Sequence, residues 1–415
     1  MQAAVHPPPL SKTERETLFL RCVAHMAGTN MTTGWFFNSP ETSIKRDNMK
    51  EWLLWALFSA RPDGMKQEWV EEIEDYLTRV EEATGSKLPR GCSETVKSMR
   101  TTLDPVVTVH RPLFWYLIVS IVDTITCTLL LRGGFKHFNT SSIRCFPPRW
   151  ISLLSQPSPQ SDLVYWYRPH RSKTKPPVLF LHGIGIGLWP YVTFLREIAA
   201  EDPEVGIMAI ENLAVSMHIT YPPLHRPAML SALTRVLDHH GLPTFILAAH
   251  SYGTVLAAHI LRDAPLAARV ASTLLVDPIP FLLYLPAVAY NFVYREPRTA
   301  NEWQLWYFAS RDPDIARALS RHFFWFENML WKDDLDGRSC AIVLCGRDQI
   351  VNAKQVRRYL TGTDETTFRW EKDGLEVLYY PDLDHSQQFD YPDRRQPMVK
   401  IISRFLHEGY DGRKI

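Results

Sequence analysis

An α/β fold, with a mostly parallel sheet and helices on both of its faces, is predicted for most of this 415-residue chain. Three observations predict it. From residue 163 onward, short continuous apolar runs such as Val178–Leu181 and Ala341–Cys345 alternate with helical patterns. Strands that are apolar throughout, rather than at every second position, belong to sheets covered on both sides. Finally, the run from Phe245 breaks at Ser251 directly into a second apolar-periodic run, with only Ala249 and Gly253 two residues to either side. Such small neighbours are what a tight strand-to-helix corner demands.

Composition sets the outer bounds. With 46% hydrophobic residues the chain can bury a full core, and a net charge of +1 leaves no broad electrostatic footprint for nucleic acid. Its six cysteines have no C-x-x-C spacing, which disfavours a zinc site and a disulfide framework. Residues 1–20 hold Pro7, Pro8, Pro9 and several charges, with no apolar signal core. A secretory signal peptide is therefore not expected, and the cysteines are expected as reduced thiols in an intracellular setting.

Residues 1–150 read as a helical extension. Ser11 with Glu14 forms a capping box ahead of Leu18, Phe19, Cys22 and Val23. A strongly apolar helix from about residue 47 ends in the turn chemistry of Arg61–Gly64, and Lys66–Thr84 is amphipathic, with Gly85 as its stop. Leu113–Leu131 is the most hydrophobic window and is long enough to cross a bilayer, where about 20 residues suffice. Against crossing stand Asp123 near its middle and the hydroxyls of Ser120, Thr124, Thr126 and Thr128. The alternative is a buried or interfacial helix, and periodicity does not separate the two. Pro147, Pro148 and the stretch 155–161 read as a linker into a main domain over 151–415. There the strands are expected at 163–167, 178–182, 205–210, 245–250, 272–277, 341–345 and 375–380, with helices at 227–240 and 398–407.

A serine at its ordinary pKa is a poor nucleophile until a base and an orienting acid stand beside it. Ligands of open α/β sheets sit beyond the carboxyl ends of the strands, so both partners belong in those loops. Asp348 follows the strand 341–345 and His385 follows the strand 375–380, in the chain order Ser251, Asp348, His385. Asp277, at the end of the preceding strand, is the alternative acid, although Asp277-Pro278 also reads as ordinary turn initiation; Asp384 is a weaker rival. An oxyanion hole needs pre-aimed N–H donors. The glycine-rich loop His182, Gly183, Ile184, Gly185 offers the Ile184 N–H, to be paired with the Tyr252 N–H. The same loop lacks the Lys and Ser/Thr of a phosphate-binding loop, and its spacing does not fit a dinucleotide fingerprint. No cofactor and no metal are called for.

Residues from about 160 to 407 resemble the α/β-hydrolase superfamily, on the strength of His182-Gly183, Ala249-His250-Ser251-Tyr252-Gly253, Gly346-Arg347-Asp348 and Asp384-His385. Ala249 stands where the usual pattern has glycine. Residue 251 is not an aspartate, which disfavours the epoxide-hydrolase and dehalogenase branches. The extension, with Trp35, Asn48 and Trp52, is similar to that of uncharacterised fungal members. The resemblance implies a serine nucleophile, Asp348–His385 as the acid–base pair, and a cap inserted at 278–339. That cap is crowded with aromatics, including the consecutive run Phe323–Phe326. One helical face cannot hide all four, so part of the run should meet the site, the extension or a membrane. The expected activity is cleavage of a small-molecule ester or thioester with an apolar moiety, through an acyl-enzyme. An acyltransferase using the same intermediate and a non-catalytic, membrane-associated module of this fold are the alternatives. Contact with a membrane would run through 113–131, and the oligomeric state is left open.

Overall fold

The computed structural model describes residues 3–24, 31–140 and 145–408. Among these, a nine-stranded sheet forms from β1 (Lys136–Phe138), β2 (Val164–Arg168), β3 (Val178–Leu181), β4 (Ile207–Glu211), β5 (Phe245–His250), β6 (Val270–Val276), β7 (Ser339–Cys345), β8 (Arg369–Lys372) and β9 (Leu375–Tyr380). The spatial order is β1-β2-β4-β3-β5-β6-β7-β9-β8, which puts β5 at the centre. The six strands from β4 to β9 in that order are parallel, while β1, β2 and β8 run antiparallel at the two edges. Two cores result, because successive side chains of a strand point to opposite faces. Leu179, Leu181, Leu247 and Ala249 enter one, Val178, Phe180, Ile246 and Ala248 the other.

Two edge strands differ from the sequence expectation. β1 has three residues and lies ahead of residue 151, so the sheet starts inside the stretch assigned to the extension. β8 reads Arg-Trp-Glu-Lys and is largely exposed. Charged residues on an edge strand discourage pairing with other chains, and they also erase the apolar signal that would mark it as a strand.

The extension packs into the first of the two cores. Ser11 accepts from the Glu14 N–H while Glu14 accepts from the Ser11 N–H, opening the helix Lys12–Val23. Helices Arg46–Phe58 and Val70–Thr84 bury Trp52, Trp55, Tyr76 and Leu77 in a cluster continuous with Leu181 and Leu247 of the sheet.

Leu113–Arg132 is a single 20-residue helix, long and apolar enough to cross a membrane by length and composition. It has two faces. Val119, Cys127 and Leu130 are buried, whereas Phe114, Leu117, Ile121 and Ile125 are exposed at helical spacing. The hydroxyls of Thr124, Thr126 and Thr128 donate to the carbonyls four residues back, so none needs an outside partner. Asp123 is not a lone carboxylate either. Both of its oxygens accept from Arg149, at 2.8 and 2.9 Å, and Arg149 also pairs with Glu211 of β4 at 2.7 and 3.0 Å. Burial would push the Glu211 carboxyl up, but the Arg149 guanidinium holds it well below its usual range. A buried cation shared by two carboxylates is tolerable only when its N–H donors are used this fully. The cluster ties the hydrophobic helix, the region read as a linker, and the sheet into one piece.

Candidate active site

The corner after β5 holds Ser251 at φ +50°, in the left-handed region that costs a non-glycine residue about 1–2 kcal/mol. The strain is enforced by packing. A Cβ on Gly253 would stand 2.2 Å from the Leu181 carbonyl oxygen, so the helix Gly253–Leu261 can approach β3 only through a glycine. A Cβ on Gly183 would meet the Ser251 Cβ and His250 Nδ1 at 2.9 Å. Ala249, by contrast, points into the core and is buried without conflict.

His385 Nε2 lies 2.8 Å from Ser251 Oγ, and its Nδ1 lies 2.7 Å from Asp348 Oδ2. The other oxygen of Asp348 accepts from the N–H groups of Ile350 and Val351, at 2.7 and 2.9 Å, which fixes the carboxylate's orientation. The loops bearing the acid and the imidazole are laced together by Gly346 N–H to the Tyr380 carbonyl and Arg347 N–H to the Leu383 carbonyl. Gly346 has no room for a side chain, since a Cβ there would come within 2.6 Å of the Tyr379 hydroxyl.

Asp277 occupies a different place. At the end of β6, at φ +43° and fully buried, it accepts from Cys345 N–H (3.1 Å), Ser386 N–H (2.8 Å) and Gln388 Nε2 (2.8 Å). Its Oδ2 is 4.0 Å from His385 Nδ1 and 3.6 Å from His250 Nε2. Asp384, the other rival, turns away from the neighbouring ring and accepts from Gln349 N–H and the His385 N–H. Burial alone would lower the His385 pKa, but Asp348 on Nδ1, with Asp277 and Asp384 behind it, raises it to about 9. Burial likewise opposes charge on Asp277, yet the imidazoles beside it and the N–H groups it accepts from hold it down at about 2. His250 is the reverse case, lowered to about 4 by burial, and is neutral beneath the site. His250, Asp277 and His385 offer three metal-type donors close together, but Asp277 is already spent on three N–H groups and His385 Nδ1 on Asp348.

Residues 178–395, just over half of the chain, match the sequence model of the Alpha/beta hydrolase family. The chain belongs to that family. As a member it is a hydrolytic enzyme. No curated protein matches the sequence. Among solved structures, the hydrolase is similar to carboxylesterase CesB from Bacillus subtilis, at 13% identity and a TM-score of 0.45 over 69% of this chain and 98% of that one. It is also similar to a bacterial membrane phospholipase A, at 13% identity and a TM-score of 0.44 over 72% of this chain and 94% of that one.

Around the hydrolase's serine, the glycine-rich loop is held by His182, whose Nε2 accepts from the Asn212 N–H at 2.9 Å. Gly185, at φ +152°, donates to the Val215 carbonyl. Neither the Ile184 N–H nor the Tyr252 N–H donates to a protein acceptor among the described residues. Ile184 and Ser251 line one narrow apolar cavity of about 50 Å³. The Tyr252 side chain instead faces a wider cavity of about 430 Å³, which Ser251 does not reach. Phe292 and Val293 line the serine's cavity from a π-helical turn, Tyr290–Tyr294, an irregularity often found beside functional sites.

Several participants carry no motif. Tyr191 places its hydroxyl 2.7 Å from His250 Nδ1 and accepts from the Gly183 N–H, joining the floor of the site to the glycine loop. Gln388 holds Asp277. The extension itself reaches the serine's cavity through Trp35, Trp55 and Thr101. The run Phe323–Phe326 divides its duties: Phe323 and Trp325 line that cavity, while Phe324 packs on His6 with ring centres 5.3 Å apart.

Proposed function

We propose that this hydrolase cleaves esters or thioesters with an apolar moiety through a serine acyl-enzyme. The observation that carries the reading is the unbroken bonding sequence Ser251 Oγ, His385 Nε2, His385 Nδ1, Asp348 Oδ2, with steps of 2.8 and 2.7 Å. Ser251 Oγ attacks the carbonyl carbon as its proton passes to His385 Nε2. Asp348 holds the Nδ1–H tautomer and stabilises the imidazolium that forms. The Ile184 and Tyr252 N–H groups receive the negative oxygen, a role whose loss typically costs about 10²–10³ in kcat per donor. His385 then returns the proton to the leaving alcohol or thiol, and the same imidazole activates the water that releases the acid. The apolar lining of the serine's cavity supports an apolar acyl group, since contact there is worth about 25 cal/mol per Å² buried.

A fluorophosphonate probe is expected to add to Ser251, located by peptide mass, and the protein is expected to release free acid from short-chain 4-nitrophenyl esters. An adduct on another residue, or none, rejects the serine assignment. Acyl transfer to an added alcohol in preference to water would reassign the enzyme as an acyltransferase.

The exposed stripe on Leu113–Arg132 supports contact with a lipid surface, lying along it rather than through it. A helix passing through would strip Asp123 from Arg149 and leave charges unpaired in hydrocarbon. The protein is expected to float with phosphatidylcholine vesicles and to be released by carbonate. A variant with Phe114, Leu117 and Ile121 changed to Ser should remain in the soluble fraction.

A further inference from the structure

Behind the serine's cavity lies a second apolar chamber, of about 30 Å³, inside the extension and lined by residues such as Phe19, Met49 and Leu57. The two spaces share three lining residues, Trp35, Trp55 and Trp325. These indoles are fixed rather than loose. Trp35 Nε1 donates to the Tyr284 carbonyl at 2.8 Å, Trp55 Nε1 to Thr102 Oγ1 at 2.9 Å, and Trp325 Nε1 to the Ala56 carbonyl at 3.0 Å. One bond runs from extension to cap and one from cap to extension, so the partition belongs to neither alone. Trp35 and Trp55 also pack with ring centres 5.6 Å apart.

We propose that this tryptophan partition sets the length of acyl chain the enzyme accepts, and that the chamber behind it is a subsite for the far end of a longer apolar chain. The inference rests on Ser251 being the acylated residue. A carbonyl held at Ser251 sends its chain into a space closed by indole rings. The void that shares those indoles is apolar and lined largely by the extension. Water gains nothing there, because a site without polar partners stays dry. An alkyl chain fits that surface chemically, and the three indoles are the lining that the chamber shares with the serine's cavity.

The test is a series of 4-nitrophenyl esters from acetate to laurate, comparing the wild type with Trp325→Ala and the milder Trp325→Val. Trp325 is only partly buried, so its truncation is expected to preserve folding better than loss of Trp55. The wild type should favour short chains. Both variants should raise the laurate-to-acetate ratio of kcat/KM, by tenfold or more in Trp325→Ala. A ratio unchanged within twofold, in variants that are still labelled at Ser251 by a small fluorophosphonate, overturns the partition while leaving the serine reading intact. Absence of fluorophosphonate labelling in the wild type removes both readings. If Trp325→Ala does not fold, Trp325→Val decides by the direction of the same ratio.

Discussion

Ser251→Ala is expected to lower kcat on any ester substrate by about 10⁵–10⁶ while leaving the fold in place. The loss is that large because the hydroxyl is the atom that becomes acylated, and no other nucleophile stands within reach of His385 Nε2 in the described structure. What remains over water should be the modest contribution of the oxyanion donors and of binding. Stability should hardly move. Residue 251 keeps its φ of +50° whether it is Ser or Ala, the Ser251 N–H still donates to the Val276 carbonyl at 2.9 Å, and only one side-chain hydrogen bond is lost. The measurement is turnover beside thermal unfolding on the same preparations. A variant that keeps more than about one hundredth of wild-type kcat would place the nucleophile elsewhere.

The parts of this fold that were legible share a feature: the local sequence had no alternative. β5 is apolar at every position up to His250, and Gly253 is the one residue type that can pass the Leu181 carbonyl, so strand, corner and helix could be read directly. Asp348 and His385 were legible because each stands just past a buried strand, β7 and β9. The start of the last helix was placed too late, at residue 398 rather than Pro392, because Pro397 looks like a breaker. Lying inside the helix, it forfeits a backbone bond and crowds the carbonyl four residues back, which the packing of the buried face that follows it outweighs. The tryptophans that close the serine's cavity could be read only in part: the run Phe323–Phe326 had to meet the site, the extension or a membrane, but its partners were hidden. Trp35 meets the Tyr284 carbonyl across 249 positions of chain and Trp325 meets Ala56 across 269, and no local pattern encodes such pairings. Asp277 was visible as an acid, but its distance from the imidazole depends on how β6, β7 and β9 stagger, which only coordinates give.

That stagger makes the two acids separable by experiment. Asp348→Asn should cut kcat by about 10⁴, since the amide can present its N–H₂ to Nδ1 and trap the wrong tautomer of His385. It should also move the acid limb of the kcat/KM profile. In the wild type His385 titrates at about 9, so activity should climb through the alkaline range as the imidazole becomes neutral. With the Asp348 charge gone, burial dominates and the limb should fall toward lower pH. Asp277→Asn should behave oppositely. Its carboxylate is 4.0 Å from the ring, so kcat should drop no more than about tenfold. Stability, however, should fall by about 2–4 kcal/mol, because three buried N–H donors lose a charged acceptor and meet an amide in its place. The pH dependence follows the same carboxylates. Asp277, held at about 2 in the fold, stabilises above its unfolded value of about 3.9, and that contribution is lost as pH falls through 2. His385, raised to about 9, stabilises fully below its unfolded value of about 6.5 and loses that contribution as pH rises through 9. Wild-type stability should thus fall on both flanks, with the acid flank flattened in Asp277→Asn and the alkaline flank flattened in Asp348→Asn. A kcat loss at Asp277→Asn exceeding that at Asp348→Asn would transfer the role of orienting acid to the end of β6.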